Sequence, residues 1–259
     1  MRANSTAIVE AREVGVCYRL RKRMPLREML VTWIKRAPRP LLWALKGVSF
    51  TLYEGDVVGI VGHNGAGKST LCLTLSQILA PDEGTLEVRG RVSQLVSLTA
   101  PIIGNLSGRD NIRLYAAYMG IPSREIERRL PEIIAFSELE EFIDEPMRHY
   151  SAGMRARLAF SIASTMDPEV LILDEVFNVG DAAFRRKSRA RIEAMMDRCK
   201  LIVIVSHNVS LLQALCTRAL WLDRGNLVKE GPTDEVLDAY EKALGPLPAS
   251  RLDFDEDLA

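Results

Sequence analysis

The 259-residue chain has little of several features that would place it in a familiar class of protein. Its three histidines, His63, His149 and His207, are too few for a histidine-rich metal site. The longest apolar runs, such as residues 201–205, have the length of a strand and fall far short of the roughly 18 residues of a membrane-spanning helix. Basic and acidic residues number 34 each, so no excess of positive charge favours nucleic-acid binding, and we predict no nucleic-acid partner.

Cysteine is also scarce. The four cysteines, Cys17, Cys72, Cys199 and Cys216, are scattered and form no C-x-x-C pair. We predict buried thiols in a reducing cytosol rather than disulfides or a zinc site. Because residues 1–6 lack the apolar core of a signal peptide, we expect a cytosolic protein.

A phosphate-binding loop is the strongest motif that is present. Residues 62–70 read GHNGAGKST and fit G-x-x-x-x-G-K-[ST]; an apolar strand at 57–61 leads in, and a helical pattern at 68–79 follows. In such a loop the backbone N–H groups cradle phosphates, Lys68 contacts the β- and γ-phosphates, and the Ser69 hydroxyl ligates Mg²⁺. The alternative is a glycine-rich turn without a ligand. The sequence therefore predicts a site for a nucleoside triphosphate and Mg²⁺.

Two further strands end in groups that suit phosphate chemistry. The apolar strand at 170–173 ends in Asp174, which would hold the metal, and Glu175, which would polarise the attacking water. The strand at 201–205 is followed by His207, whose imidazole could bond the γ-phosphate. Taken alone, Asp174 and Glu175 could be an ordinary solvated strand end, and His207 could be a structural histidine. Together with the phosphate loop they predict catalytic roles for Lys68, Glu175 and His207.

Residues 150–154, YSAGM, precede a helical pattern and place a hydroxyl and a glycine at a helix start. Such a start offers N–H groups and a positive dipole end to an anion. The alternative is that Ser151 is simply the N-cap of the helix.

The order of predicted elements indicates an α/β fold. Strand patterns at 7–18 and 45–53 precede the phosphate loop, and short strands at 85–88 and 91–95 follow its helix. Residues 106–166 read as consecutive helices. From residue 170 to 222 strands alternate with helices, which favours a parallel sheet covered on both faces. A helical insertion into a nucleotide-binding core is the predicted architecture.

These motifs, in this order and spacing, resemble the nucleotide-binding subunit of an ABC transporter over nearly the whole chain. More narrowly, YSAGM followed by RLAF, with Val179, Asp181 and Phe184 in VGDAAF, resembles the ATPases that export O-antigen, capsular polysaccharide and teichoic acid. The resemblance implies a P-loop NTPase core with a mixed sheet, an N-terminal antiparallel β subdomain and an inserted helical subdomain. It implies one ATP-binding domain at 1–245, with an insert at about 19–42, helices at about 106–166, and an acidic, proline-containing tail at 246–259.

The resemblance also implies roles for particular residues. Tyr18 would stack on adenine, Ser151 and Gly153 would bind the γ-phosphate of ATP held by a second subunit, and Asp181 would meet its counterpart across the dimer. The glutamine that couples Mg²⁺ to the membrane subunit has a candidate in Gln94, while the spacing from Leu106 points to the place of Ser97 or Leu98. The candidate ATP-binding residues are Tyr18, Gly62, His63, Asn64, Gly65, Ala66, Gly67, Lys68, Ser69, Thr70, Gln94, Ser151, Gly153 and Asp181; the candidate metal ligands are Ser69 and Asp174.

The insert has a pattern of its own. Five apolar residues share one face of a predicted helix, and eight basic residues lie between positions 19 and 39 against one acidic residue. The apolar face is formed by Leu26, Met29, Leu30, Trp33 and Ile34. A basic amphipathic helix with a tryptophan favours a membrane surface or a groove on a membrane subunit, and the alternative is packing on the protein's own strands.

We therefore expect an ATP-hydrolysing subunit that dimerises, works with a separate integral-membrane permease, and exports a lipid-linked polysaccharide. Its expected place is the cytoplasmic side of the inner membrane, as a peripheral protein. An ABC ATPase for another substrate, such as a lipid or drug, is the alternative, and a non-transport ABC ATPase is a further one. The latter needs a long coiled coil or a second cassette, and only about 80 residues separate the two main motifs here.

Overall fold

The computed structural model describes residues 6–19, 41–96, 103–118, 121–165, 167–174 and 181–244. The predicted insert helix and the tail at 246–259 lie outside these residues.

The described part of the chain contains two sheets. Its strands are β1 (Ala7–Arg19), β2 (Leu41–Tyr53), β3 (Val57–Val61), β4 (Glu83–Val88), β5 (Val92–Val96), β6 (Val170–Asp174), β7 (Leu201–Val205), β8 (Arg218–Asp223) and β9 (Asn226–Pro232). One sheet is antiparallel with the order β2-β1-β4, and the other has the order β5-β6-β7-β3-β8-β9. In the second sheet only the β8–β9 pair is antiparallel. The predicted mixed sheet and N-terminal antiparallel sheet are confirmed.

Helices pack around the six-stranded sheet and form a separate group between β5 and β6. The described helices are α1 (Lys68–Leu75), α2 (Gly108–Tyr118), α3 (Ser123–Ser137), α4 (Ala152–Ser164), α5 (Ala182–Met196), α6 (Val209–Leu215) and α7 (Thr233–Leu244), with a 3₁₀ turn at Met147–His149. Helices α2, α3 and α4 share a buried apolar cluster of their own. The predicted inserted helical subdomain is therefore confirmed. None of the helices in the described ranges has both the length and the apolar content needed to span a membrane.

The strands at the centre of the larger sheet are apolar because helices cover both faces. Every residue of β7 is buried, and β3 and β6 are each buried over four of their five residues. One apolar cluster joins β3, β6 and β7 to α1 and the antiparallel sheet, and a second joins the other face to α4, α5, α6 and α7.

Three aromatic rings pack together where the helical group meets the rest of the core. Phe136 of α3, Phe160 of α4 and Phe184 of α5 have ring centroids 5.8 to 6.0 Å apart. Edge-to-face and offset arrangements at this separation add to the energy of apolar burial. The position of α4 relative to the sheet is thus set by packing as well as by the chain connection.

Two predicted boundaries were wrong. Strand β2 begins at Leu41 rather than at residue 45, because its first residues pair with Tyr18 and Arg19 of β1. Helix α1 ends at Leu75 rather than at residue 79, because Gln77 has a φ of 59° and cannot continue a right-handed helix.

Strand β9 and helix α7 lie beyond the last element predicted from the sequence. In β9 exposed and half-buried residues alternate along the edge of the sheet. Its position is decided by pairing with β8 through a tight turn in which Arg224 and Gly225 both have positive φ.

Candidate active site

The phosphate loop follows β3, the strand that lies between β7 and β8. Only glycine fits at position 62, because its φ is 152° and a Cβ there would lie 2.2 Å from the Leu222 carbonyl oxygen. Gly67, the N-cap of α1, has a φ of 109°, and its Cβ would lie 2.5 Å from the Ala44 carbonyl oxygen. The two glycines therefore let the loop pack closely between two neighbouring segments.

Lys68 lies at the start of α1 and is 8% exposed. Its ammonium group donates to the carbonyl oxygens of Gly62, at 2.7 Å, and His63, at 3.2 Å. The first N–H groups of α1 have no partner within the helix, so they and the helix dipole favour an anion at this point. A buried positive charge beside a helix N-terminus favours the binding of a phosphate at this point.

The parallel register brings the ends of three strands to the same edge of the sheet. Asp174 at the end of β6 is in register with Val205 at the end of β7, and Val205 is in register with Ile60 of β3. The residues that follow, among them Gly62 and His207, therefore lie beside one another.

A cavity of about 450 Å³ opens at this edge. Its wall contains the whole of residues 64–70 together with Tyr18, Asp174 and His207. The remaining lining residues are Leu42, Trp43, Ala44 and Val205. Segments separated by up to about 190 residues in the chain thus contribute to one site. Of these, Leu42, Trp43, Ala44 and Val205 were not predicted, since apolar residues in or beside strands resemble ordinary core positions.

The aromatic end of the cavity is formed by β1 and β2. Tyr18, 40% exposed, places its hydroxyl 3.4 Å from the Thr70 Oγ1. Leu42 and Trp43 line the cavity beside it. Flat aromatic and apolar surfaces of this kind suit the face of a nucleobase.

The oxygen donors of the cavity suit Mg²⁺. Asp174 offers a carboxylate and Ser69 a hydroxyl, and both line the cavity with Lys68. No cluster of three or more His, Cys, Asp or Glu side chains that could hold a metal is found in the described ranges. A small set of oxygen ligands that leaves positions for water and phosphate is typical of Mg²⁺ sites.

The charges of Asp174 and Lys68 affect the neighbouring thiol of Cys72. Burial raises the pKa of the Cys72 thiol, and the Asp174 carboxylate raises it further, while Lys68 lowers it. Cys72 is fully buried on α1, behind the loop.

Ser151 and Gly153 do not line this cavity. Ser151 is the N-cap of α4, where its Oγ accepts from the Met154 N–H at 3.1 Å. Both residues are exposed. A Cβ at Gly153 would have only the Ser151 Oγ nearby, at 3.8 Å, so the backbone here is open to solvent.

Asp181 is the N-cap of α5. Its Oδ1 accepts from the N–H groups of Ala183, at 3.0 Å, and Phe184, at 2.9 Å, and its Oδ2 pairs with Arg157 of α4. The Phe184 N–H, followed by the Arg157 charge, lowers the pKa of the Asp181 carboxyl. The structure therefore links Asp181, at the start of α5, to the helix that Ser151 caps.

Gln94 is not brought to the cavity. It lies in β5 opposite Ile172 of β6, two positions before Asp174, and its Oε1 accepts from the Ser76 hydroxyl at 2.8 Å. The side chain is engaged with the end of α1. The other candidates for this role, Ser97 and Leu98, and the predicted catalytic Glu175 lie outside the described residues.

Comparison with known proteins agrees with this architecture. The family described as ABC transporter matches residues 45–178. The chain is 41% identical over 229 residues, 87% of its length, to the O-antigen export system ATP-binding protein RfbB of Myxococcus xanthus. It is 42% identical over 205 residues, 79% of its length, to the teichoic acids export ATP-binding protein TagH of Enterococcus faecalis. The chain belongs to the ABC transporter family, which confirms the resemblance.

The chain spans about half the length of these two curated relatives, 52% and 46% respectively. Among solved structures it is similar to a dimeric post-hydrolysis state of the ATP-binding cassette MJ0796 bound to ADP and Pi. That match has a TM-score of 0.63 and 20% identity, and covers 87% of this chain and 98% of the other. It confirms the predicted fold class.

Proposed function

We propose that this chain is the ATP-hydrolysing subunit of an exporter for a lipid-linked polysaccharide, such as an O-antigen, a capsule or a teichoic-acid-like polymer. The observation that carries the ATPase part is the cavity itself. It places a buried lysine, a carboxylate, a hydroxyl, an imidazole and an aromatic ring around one helix N-terminus.

In the proposed reaction the triphosphate lies on the loop and on the N–H groups of α1. Lys68 neutralises the β- and γ-phosphates, and Tyr18 holds the adenine. Ser69 and Asp174 would hold Mg²⁺, which neutralises phosphate charge and aligns the phosphates when it is bound. Glu175 orients a water whose oxygen attacks the γ-phosphorus as the bond to the β–γ bridging oxygen breaks. ADP and phosphate leave, and the proton that the water loses passes to solvent. His207 contacts the γ-phosphate from the end of β7.

A second copy of the chain completes the site in this proposal. Ser151 and Gly153 are exposed at the start of α4 and do not reach their own chain's cavity. A helix N-terminus with an open glycine suits the γ-phosphate of ATP on a partner. The dimer of the similar cassette MJ0796, bound to ADP and Pi, supports this arrangement.

The glycan part of the proposal is supported by the names of the relatives, which are export-system ATP-binding proteins for O-antigen and teichoic acids. The subunit would act with an integral-membrane permease on the cytoplasmic side of the inner membrane. The basic insert at 19–42 would face that permease or the membrane surface, where it would help to admit the lipid-linked glycan.

The test of the ATPase part is Glu175→Gln. The variant should bind ATP, dimerise and stall, because the water loses its orienting carboxylate while the phosphate contacts remain. Radiolabelled ATP binding, light scattering and phosphate release measure the three steps. A loss of turnover of about a hundredfold or more is the expected scale for a group that activates the nucleophile. Near-normal phosphate release by the variant would contradict the assignment.

The test of the insert is charge reversal of Arg21, Lys22, Arg23 and Arg36 to glutamate. Export of the polymer should fall while the ATPase activity of the isolated subunit is retained. Reversal of the exposed Arg186 and Lys242, which lie outside the insert, serves as the control. Unchanged export in the insert variant would remove this part of the proposal.

A further inference from the structure

The β8–β9 turn lies against the phosphate loop, and the motif does not explain this contact. Strands β3 and β8 are parallel neighbours, with Val61 in register with Trp221. The turn after β8 therefore comes out of the sheet beside the loop after β3. Leu222 and Asp223 at the end of β8, and Gly225 of the turn, meet three residues of the loop there.

Two of these contacts use the backbone. The Leu222 carbonyl oxygen lies where a side chain on Gly62 would begin, and the Gly225 N–H donates to the Ala66 carbonyl at 2.9 Å. The Gly225 carbonyl in turn accepts from the Lys46 N–H at 2.8 Å. The turn is thus wedged between the phosphate loop and β2.

The third contact uses side chains. The Nε2 of His63 lies 2.7 Å from the Oδ1 of Asp223, and its Nδ1 lies 2.6 Å from the Asn64 carbonyl oxygen. The two side chains are 44% and 41% exposed. An oxygen acceptor therefore lies within hydrogen-bond distance of each imidazole nitrogen, one at the end of β8 and one in the loop of His63 itself.

We propose that Asp223 is a positioning residue for nucleotide binding, which acts through His63 to hold the phosphate loop in its binding conformation. This inference rests on the proposed ATPase function. His63 is followed by residues 64–70, which line the cavity, and its carbonyl oxygen also accepts a hydrogen bond from the Lys68 ammonium. A loop fixed before the ligand arrives loses less conformational freedom on binding, so the contribution of Asp223 is to affinity.

The inference predicts a change in KM for ATP with little change in kcat. Asp223→Ala should raise KM by about two- to fivefold, the range expected for loss of one half-exposed contact between polar side chains, and leave kcat within about twofold. Asp223→Asn keeps an oxygen that can face Nε2 and should retain most of the wild-type KM. His63→Ala with Asp223→Ala should be no worse than His63→Ala alone, because both changes break the same contact.

The matched control is Glu230→Ala. Glu230 is a carboxylate on the same hairpin that pairs with Arg218 at 3.7 Å, away from the loop. The Glu230→Ala substitution should leave KM for ATP unchanged. The thermal midpoint of each variant without nucleotide shows whether a change in KM comes from general loss of structure.

The experiment is steady-state ATP hydrolysis with Mg²⁺ by the full chain, together with binding of ATP to the Glu175→Gln form. A KM for Asp223→Ala equal to that of the wild type, or effects of His63→Ala and Asp223→Ala that add in full, would overturn the inference alone. The inference would also be overturned if Asp223→Ala and Glu230→Ala both lowered kcat and the thermal midpoint. A wild-type chain that does not bind ATP would overturn the proposed function as well.

Discussion

Single residues of this chain take their chemistry from where the fold puts them. Lys68 and Cys72 are both on α1, one turn apart, and both are buried. The lysine has two carbonyl partners in the phosphate loop and keeps a polar environment. The thiol is buried within the apolar core cluster, which raises its pKa, and the negative charge of Asp174 raises it further.

The thiols give a prediction at this scale. Burial raises the pKa of Cys216 to about 12 and that of Cys199 to about 11. At pH 8 these groups are neutral, and a neutral thiol is a poor nucleophile. We expect the native chain to react slowly with an alkylating reagent, with the buried Cys72 and Cys216 slowest of the four.

Reaction of each cysteine is measured by mass spectrometry after timed alkylation, with the chain in guanidinium as the control, where all four should react quickly. The half-buried Cys17 should be labelled before Cys72. Fast labelling of Cys72 in the native chain would contradict the buried position of α1.

At the scale of elements, three helices begin at residues whose side chains cap them. Ser151, Asp181 and Asn208 cap α4, α5 and α6 with side-chain oxygens. Ser151 and Asp181 are themselves candidate site residues, and Asn208 directly follows His207. Of the three, Asp181 also contacts another helix, through its ion pair with Arg157.

The cap at Asp181 leads to a prediction about stability. Without nucleotide, Asp181→Asn keeps an oxygen acceptor for the N–H groups of α5, whereas Asp181→Ala loses the acceptor and the ion pair. The thermal midpoint at neutral pH should fall in the order wild type, Asn, Ala. Loss of the cap should lower it by about 2–4 °C.

The pH dependence of this effect has a definite sign. The folded pKa of Asp181 lies below its ordinary value of 3.8, so the stabilisation by its charge is present above that value. It is lost as the pH falls through the folded pKa, where the carboxylate becomes protonated. Wild type and Asp181→Asn should therefore converge in acid and differ at pH 7. An equal difference at both pH values would argue against the charge as the cause.

At the scale of the whole molecule, the exposed start of α4 is the feature that the single chain does not explain. Gly153 has no positive φ and no close neighbour that a methyl group would strike. Its backbone needs no glycine within the chain. Any role specific to glycine at this position would therefore come from a contact with a ligand or with a second copy.

Gly153→Ala tests this directly. In a single chain the variant should fold normally, with stability within about 1 kcal/mol of the wild type, since Ala is favoured over Gly inside a helix. If a partner's γ-phosphate approaches this backbone, the added methyl group should prevent ATP-driven dimerisation of the Glu175→Gln form. Sedimentation with and without ATP measures the dimer.

Gly104→Ala is the control, because a Cβ there would have no neighbour closer than 3.7 Å and the residue lies outside the cavity. Gly62→Ala should by contrast disturb the loop itself, since its Cβ would lie 2.2 Å from the Leu222 carbonyl oxygen. A Gly153→Ala variant that dimerises with ATP as the wild type does would count against the second copy.

The sequence alone determined the features that depend on neighbouring residues. The phosphate loop, the apolar strands β3, β6 and β7, and the helix start at Ser151 follow from local backbone chemistry and periodicity. The tertiary structure decided which distant segments meet. It placed Leu42 and Trp43 in the cavity, left Gln94 bonded to Ser76, and set Asp223 against His63. These contacts depend on strand order and register, which join residues far apart in the chain, and no short segment contains that information.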